Sequence, residues 1–321
     1  MQKKEIIIIN LQKFINKRIE KANISCRSFL VTLFGDVISQ HGDWVSLASL
    51  INVMQYYGFN ERSVRTAVFR LTKEDWLIAK KIGRRSYYSY TENARRQFLK
   101  AEQRIYSQSI YSCGDQWLIV FPSFVEDKKL VLFKRQLKWL GFSSLTSGAY
   151  AHPQCAQETL EETICELGLT DSVITFCAKT LDKNATQVLK NLVLEKWQLE
   201  DLAQRYEKFI QIYQPLMDTI KEILQKADCD RDAESRTIHL QHLFQFRVLL
   251  IHEYRRILLK DHQLAPSMLP TDWPAKQAVD LVIEIYQALM PSSCLFICQN
   301  LSNAEGHLPA AKAAFYRRYQ R

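Results

Sequence analysis

The sequence predicts a mainly α-helical protein with smaller α+β parts. Nine glycines in 321 residues are too few for a turn-rich β architecture, and 47% apolar with 24% charged residues is ordinary for a globular chain. Apolar residues recur at helical spacing in the first and last thirds, whereas short β-prone runs alternate with helical segments between them. This change of pattern divides the chain into an N-terminal extension at 1–24 and domains at 25–106, 107–190 and 191–321.

Positive charge is concentrated near the N-terminus. The formal net charge is +9, yet residues 1–106 contain 19 Lys and Arg against 9 Asp and Glu, and the remaining residues contain 24 against 25. A basic module joined to a nearly neutral body is typical of a protein that meets a polyanion through one part of its chain.

Eight cysteines are scattered without any CxxC pair, at positions 26, 113, 155, 165, 177, 229, 294 and 298. This spacing fits neither a zinc site nor a secreted disulfide framework, so we expect reduced, mostly packed thiols in the cytoplasm.

No apolar run approaches the roughly 18 residues that span a membrane, so no membrane partner is expected. The segment "IIIIN" is predicted to be one side of an N-terminal helix rather than a signal peptide.

Three helices are predicted after residue 24. Ser25 and Ser46 can cap the first two, Gly58 closes the second, and Asn60 can cap the third, "ERSVRTAVFRLTK". On a helical wheel the third helix has an apolar face and an opposite face that is basic and hydrogen-bonding. The apolar face consists of Val64, Ala67, Val68 and Leu71; the opposite one consists of Arg62, Thr66, Phe69 and Lys73, flanked by Arg65 and Arg70.

A basic hairpin is predicted next. In "WLIAKKIGRRSYYSYT" two β-prone runs meet at Gly83, and Thr91 can cap a following helix. Helix, short strand, helix, helix and hairpin is the order of a winged helix-turn-helix, whose third helix lies in a DNA major groove. The alternative is a solvated basic helix beside an ordinary hairpin. The expected DNA-contacting residues are Arg62, Ser63, Arg65, Thr66, Phe69, Arg70, Lys73, Lys80, Lys81, Arg84, Arg85 and Tyr87.

The middle third is predicted to be a small α+β sandwich of ferredoxin-like type. "WLIVFPSF" reads as a buried strand, "EDKKLVLFKRQLKWLGF" as an amphipathic helix ended by Gly141, and "SSLTSGAYAHP" as an edge strand with a turn. A short helix and the strand "SVITFCAKT" follow, which gives an order of βαββα or βαβαβ.

From about residue 192 three long helices are expected, with a bend at Pro215 and a helix start at Asp272 and Pro274. Antiparallel packing would give them a core of their own.

The chain contains the motifs "GDW", "ERSVRTAVFRLTKEDWL", "IGRRSYYS", "HEYRRILLKD" and "MLPTDWPA". These motifs carry a resemblance, over residues 25–321, to the PaaX family of transcriptional repressors, which control phenylacetate catabolism. It implies a homodimeric repressor released from its operator by phenylacetyl-CoA, with residues 61–73 as recognition helix and 77–90 as wing. Two such helices in successive grooves predict an inverted-repeat operator.

The middle domain also resembles the Cas2-like ferredoxin fold, a group that includes nucleases. Those enzymes place a metal-binding aspartate at the end of the first strand, where this chain has Phe121, Pro122 and Ser123. The resemblance therefore implies a scaffold rather than a nuclease.

An acyl-CoA effector requires cations, an aromatic surface and an apolar slot. His252, Arg256 and Lys260 are spaced to form one cationic stripe on a helix. The other candidates for this site are Tyr254, Arg255, Trp273 and Tyr286. The alternative is an exposed helix face on which Glu253 pairs with Arg256.

No catalytic residue, metal or cofactor is expected. His239 and His242 lie three residues apart without a third ligand at a supporting spacing, and Cys294 and Cys298 are expected to pack. GxSxG, HExxH, GxGxxG and P-loop motifs are absent from the sequence. The competing interpretations are a metal-dependent nucleic-acid-processing enzyme that uses the Cas2-like domain, and a protein-interaction adaptor.

Overall fold

The computed structural model describes residues 2–108, 116–153, 157–229 and 232–319. Cys113 and Cys155 lie outside this range. In the N-terminal part the elements are α1 (Gln2–Lys21), α2 (Cys26–Asp36), β1 (Val45–Ser46), α3 (Leu47–Gln55), α4 (Glu61–Lys73), β2 (Leu77–Ile82), β3 (Arg85–Tyr90) and α5 (Glu92–Ile105). In the middle they are β4 (Trp117–Phe121), α6 (Asp127–Trp139), β5 (Ser143–Thr146), β6 (Ala149–Pro153), α7 (Gln157–Glu166) and β7 (Ile174–Ala178). The last are α8 (Lys183–Lys196), α9 (Leu199–Tyr213), α10 (Met217–Cys229), α11 (Ala233–Leu258), α12 (Ala275–Asn300) and α13 (Ala313–Tyr316).

These elements form two compact units. The first unit contains residues 1–108, 209–255 and 279–321, and the second unit contains residues 109–208 and 256–278.

Side-chain caps begin the N-terminal helices, as predicted. The Ser25, Ser46 and Thr91 hydroxyls accept hydrogen bonds from backbone N–H groups at the starts of α2, α3 and α5. Each cap satisfies one of the backbone donors that a helix start leaves unpaired. The long N-terminal helix α1 is also confirmed.

A three-stranded antiparallel sheet completes the N-terminal part of the first unit. Its strand order is β1-β3-β2, and β2 joins β3 across Gly83, whose φ is +59°. Glycine adopts this left-handed conformation without the steric cost that a side chain would add. The predicted hairpin and the short strand that precedes α3 are therefore both present.

The second unit contains a four-stranded antiparallel sheet of order β5-β6-β4-β7. The predicted edge strand "SSLTSGAYAHP" is two strands, because the chain reverses at Gly148 with φ +80°. The element order is thus βαββαβ. Helices α6 and α7 cover one face of the sheet through Phe133, Leu137, Leu160 and Ile164, which share a buried cluster with residues of β4.

Among the described residues, the C-terminal helices do not form a unit of their own, contrary to the expectation. Within the first unit α11 packs against the N-terminal helices: the Tyr57 hydroxyl donates to the Gln245 carbonyl at 3.3 Å, and Thr32 Oγ1 lies 2.7 Å from His252 Nδ1. The long helix around residue 200 is interrupted at Gln198, whose φ is +52°, and by a 3₁₀ turn at Gln214–Leu216 that contains the predicted bend.

Helix α12 is long and apolar enough to cross a membrane by length and composition alone. Its residues Val282, Ile285 and Leu289 are buried in the first unit. A core helix of a globular protein has the same composition, so burial accounts for the apolar character of α12.

Asp36, at the end of α2, is the centre of a buried ionic cluster in the first unit. Its Oδ1 accepts hydrogen bonds from the hydroxyls of Tyr106 at 2.7 Å and Tyr286 at 2.9 Å, and from Arg318 at 3.1 Å. Its Oδ2 lies 3.2 Å from a guanidinium nitrogen of Arg247. The cluster joins α2 to α11, to α12 and to residues that follow α5 and α13.

Both arginines of this cluster are paired with acids. Arg318 also pairs with Glu102 at 2.6 Å, and its guanidinium lies 3.7 Å from the centroid of the Tyr106 ring. Burial lowers the pKa of Arg318, but the neighbouring Tyr106, Tyr286, Asp36 and Glu102 raise that pKa by more, to well above its ordinary value. The guanidinium is therefore held in its charged form.

We expect Asp36→Asn to lower the free energy of unfolding by about 3–5 kcal/mol, because it keeps the shape of the side chain but leaves the buried Arg247 without a carboxylate and Arg318 with Glu102 alone. Urea denaturation followed by circular dichroism measures this. Glu305→Gln, at an exposed acid, is the control and should change stability by less than about 0.5 kcal/mol. Equal stability of the two variants would show that the cluster does not hold the first unit together.

Candidate nucleic-acid interface

Helix α4 is positioned by its apolar face. Val64, Ala67, Val68 and Leu71 are buried, as predicted, and α4 packs against α2 and α3. Asn60 caps the helix, since its side chain accepts a hydrogen bond from the Ser63 N–H at 2.8 Å. Both features follow from local sequence: apolar residues at helical spacing, preceded by a residue with a short polar side chain.

The opposite face of α4 is exposed, cationic and partly aromatic. Its exposed cations are Arg62, Arg65, Arg70 and Lys73. Phe69 is 60% exposed, with the Lys73 ammonium 4.9 Å from its ring centroid. A large aromatic ring on the surface, held beside cations, is uncommon in a face that meets only water.

Arg65 is restrained only weakly. It is 55% exposed and pairs with Glu61 one turn earlier, through Nε at 2.7 Å. Exposed pairs at this spacing contribute about 0.3–0.5 kcal/mol, so the guanidinium can exchange this carboxylate for another anion at little cost. Thr66 differs, because its hydroxyl donates to the Arg62 carbonyl at 2.8 Å.

The β2–β3 hairpin adds four exposed cations: Lys80, Lys81, Arg84 and Arg85. Ile78 and Ile82 on β2 are also exposed, which the sequence interpretation missed. The sequence does indicate this surface: Ile78, Lys80 and Ile82 are two residues apart, so their side chains lie on the same face of a strand. The exposed surface of the hairpin is therefore amphipathic as well as basic.

One predicted contact residue is buried. Tyr87 is only 5% exposed and lies on β3, opposite Ser46 of β1. Since β3 is the middle strand of the sheet, its side chains are covered more than those of the edge strand β2. Tyr87 is therefore a structural residue of the sheet, and its prediction as a DNA contact is wrong. Ser63, another predicted contact, is half-buried next to the cap.

Three family profiles match this chain: PaaX-like protein at residues 25–94, PaaX protein central Cas2-like domain at 112–189, and PaaX-like protein C-terminal domain at 197–299. The transcriptional repressor PaaX of Escherichia coli strain K12 is 34% identical over 309 residues, which covers 96% of this chain and 94% of that protein. The chain belongs to the PaaX family. Among solved structures it is similar to the uncharacterized protein Rv0674 from Mycobacterium tuberculosis, with 16% identity, 85% of this chain and 98% of that chain covered, and a TM-score of 0.45.

The PaaX-like profile contains both parts of the basic surface, α4 and the β2–β3 hairpin. We define this surface, the α4–hairpin surface, by eight exposed cations: Arg62, Arg65, Arg70, Lys73, Lys80, Lys81, Arg84 and Arg85. Three acids lie within the same stretch, Glu61, Glu74 and Asp75. Of these, Glu61 pairs with Arg65, and Glu74 pairs with Arg27 outside the stretch. The surface therefore keeps a strong positive excess.

The residues expected to bind an acyl-CoA effector do not form one exposed stripe. His252, Tyr254 and Tyr286 are completely buried in the first unit, where Tyr286 belongs to the Asp36 cluster. Side chains buried in this way cannot contact a ligand in this conformation, so the expectation for these three is corrected. Arg255 is half-buried, and its guanidinium donates to the Ser28 carbonyl at 3.1 Å.

The other three expected residues belong to the second unit. Arg256 and Lys260 are exposed, but α11 ends at Leu258, so Lys260 does not continue the helical stripe. Trp273 lines a cavity of about 480 Å³. The remaining lining residues are Asn191, Leu194, Glu195, Leu199, Glu200, Ala203 and Pro270.

No group of three or more His, Cys, Asp or Glu side chains that could hold a metal is found in the described part of the chain. His239 and His242 are both buried on α11. Burial lowers the pKa of His242, and the hydrogen bond from its ring to the Ile238 carbonyl opposes this only in part. A neutral imidazole that donates to its own helix is a packed histidine rather than an open ligand.

We expect Asn60→Ala to destabilise the protein by about 1 kcal/mol, because the N–H of Ser63 loses its acceptor at the start of α4. Thermal unfolding of the variant measures the loss. Asn60→Asp keeps an acceptor in the same place and should be within a few tenths of a kcal/mol of the parent. If Asn60→Asp were as unstable as Asn60→Ala, the cap would not be the cause.

Proposed function

We propose that this protein is a DNA-binding transcriptional repressor whose residues 25–106 form a winged helix-turn-helix. Helix α4 lies in the major groove of an operator, and the β2–β3 hairpin is the wing. The observation that supports this most is the division of α4 into a fully buried apolar face and an exposed cationic face. The relative in Escherichia coli, a transcriptional repressor by name, supports the same function.

The exposed side chains divide into two roles. Arg62, Arg65 and Arg70 are long enough to donate two parallel hydrogen bonds to guanine O6 and N7, and Phe69 can contact a thymine methyl group. The hairpin cations bind phosphates, which gives affinity and register but no sequence information. Because Thr66 donates to its own helix, it contributes to DNA contact as an acceptor or through its methyl group.

A homodimer is the form in which this repressor acts. Two copies place their α4 helices in major grooves one helical turn or a multiple apart, so that the operator is an imperfect inverted repeat. The target genes belong to phenylacetate catabolism, and the protein acts in the cytoplasm.

Phenylacetyl-CoA is the effector that releases the operator. A ligand shifts an equilibrium only by its difference in affinity for the two states, so phenylacetyl-CoA binds better to the form that fits the operator worse. The cavity beside Trp273 suits the acyl end, since Leu194, Leu199, Ala203 and Pro270 supply apolar walls. Glu195 and Glu200 in the same lining repel the phosphates of CoA, which therefore extend away from it.

The second unit is a scaffold of ferredoxin-like type. Its βαββαβ order and its strand order β5-β6-β4-β7 support this fold. A nuclease is disfavoured because β4 ends in Phe121, followed by Pro122 and Ser123, where such enzymes place a metal-binding aspartate. The name of the Escherichia coli relative supports a repressor without catalytic activity, which would need no cofactor.

Arg65→Ala tests the DNA-reading role of α4. We expect a loss of about 1–3 kcal/mol in operator binding and a relaxed preference at one base pair, because the side chain contacts a base edge. Fluorescence anisotropy on the operator and on a set of single-base-pair variants measures both effects.

Arg205→Ala is the matched control. Arg205 is also an exposed arginine that pairs with an acid one turn earlier, Asp201, at 2.7 Å. This variant should bind the operator like the parent. An equal loss for Arg65→Ala on every DNA sequence would show that Arg65 contacts only the backbone, and no loss would reject α4 as the reading helix.

Effector release is tested by titrating the operator complex with phenylacetyl-CoA and, separately, with free phenylacetate. We expect phenylacetyl-CoA to weaken operator binding roughly 5- to 150-fold, the usual range of coupling between two sites, and phenylacetate to have no effect. Trp273→Ala should reduce this response without changing DNA binding in the absence of ligand.

Phe124→Ala is the control for the cavity, because Phe124 is a strongly exposed aromatic residue of the same unit that does not line it. It should respond to phenylacetyl-CoA like the parent. Equal responses of Trp273→Ala and the parent would place the acyl group elsewhere, and an effect of phenylacetate alone would reject the CoA thioester as the effector.

A further inference from the structure

Helix α6 of the second unit presents a second basic surface, far along the sequence from α4. Its cations are all exposed, and none forms an ion pair with another residue in the part of the chain that the structure describes; they are Lys128, Lys129, Lys134, Arg135 and Lys138. Asp127 is the acid of the same helix. The residues beyond 106 carry almost no net charge in total, so the sum along the chain does not show this local excess of positive charge.

The direction of these side chains follows from the buried side of α6. Phe133 and Leu137 lie in the core of the second unit, so the outward stripe is centred on the opposite side of the helix. At 100° per residue this stripe contains Lys128, Arg135 and Lys138. Two apolar side chains belong to it as well: Val131 is 72% exposed and Trp139 is 46% exposed.

The two helices that cover the sheet of the second unit differ in the sign of their exposed charge. Helix α7 covers the same sheet face as α6, and its exposed charged residues are all acidic: Glu158, Glu161, Glu162 and Glu166. A helix face that meets only solvent usually carries both signs of charge, because nearby opposite charges lower its self-repulsion. A helix with five unneutralised cations instead favours an anionic partner.

We propose that α6 binds the phosphate backbone of DNA outside the base pairs that α4 reads. This inference rests on the proposed DNA-binding function. Four of the five cations are lysines, which act on phosphates as point charges without the paired geometry that arginine uses on a base edge. The thirteen residues of α6 extend over about 20 Å, long enough to meet several phosphates along one strand.

The main competing partner is a second copy of this chain, whose acidic α7 could meet the basic α6. DNA is favoured because the operator complex already brings a polyanion to the protein, whereas Glu161 of α7 is partly satisfied by Gln157 at 2.7 Å within its own helix. The two partners differ in what they predict for binding and for self-association.

The test variant combines Lys128→Gln, Arg135→Gln and Lys138→Gln in the full chain. Its affinity is measured at several salt concentrations on two duplexes, one limited to the operator and one extended on both sides. Each phosphate contact contributes about 0.9 to the slope of log K against log salt concentration. On the extended duplex we expect the slope to fall by about 2.7 per protein copy, and on the operator-only duplex we expect no change.

The matched control neutralises three acids of α7 with Glu158→Gln, Glu161→Gln and Glu166→Gln, and it should not weaken binding to either duplex. The conservative variant Arg135→Lys should keep the parental slope, which separates loss of charge from misfolding. Equal slopes for the α6 variant and the parent on the extended duplex would overturn the proposal.

Sedimentation decides between the two partners. If the α6 and the α7 variants both lost a salt-sensitive self-association while the extended duplex bound as before, α6 would contact a second copy rather than DNA, and the proposal would be wrong. If the α6 variant still bound the operator-only duplex like the parent, the role of α4 in reading bases would stand. Failure of the parent to bind either duplex would reject both proposals together.

Discussion

The carboxylate of Asp36 is the interaction on which the first unit depends. It lies at the end of α2 and pairs with Arg247 and Arg318, which come from distant parts of the chain, while two tyrosine hydroxyls donate hydrogen bonds to its Oδ1. Buried charges are tolerated only when they are paired and hydrogen-bonded. Because α4 packs on α2, the direction in which the basic face of α4 points depends on this buried cluster.

Local features of the fold could be predicted from the sequence, and long-range pairings could not. Asn60 and the apolar residues of α4 act within one or two turns, so their spacing alone indicates a capped helix with one buried face. Asp36 and Arg318 are 282 positions apart, and no local pattern connects them. For the same reason Tyr286 and His252 were expected at a ligand site, although their polar atoms are used inside the core.

The basic α4–hairpin surface and α6 show why total charge is a poor guide to binding surfaces. The α4–hairpin surface could be recognised from the sequence, because its cations lie close together in a stretch that is also basic overall. The second was hidden because acidic α7 cancels it in any sum along the chain, although the two helices present their charges separately. What a polyanion meets is the local arrangement of exposed charge, since salt screens interactions beyond about 10 Å. If both surfaces bind one DNA, α6 adds to the backbone affinity of the hairpin, while base reading belongs to α4 alone.

The central claim is that the exposed face of α4 contacts bases. The most direct measurement places a photoreactive phenylalanine analogue at position 69 and maps its cross-links on the operator. Because Phe69 is exposed among the cations of α4, we predict cross-links to bases at one position in each half of the operator. The same analogue at position 124, an exposed site of the second unit, should give no such base-specific pattern. Cross-links from position 69 that were absent, or no more specific than those from position 124, would contradict the claim.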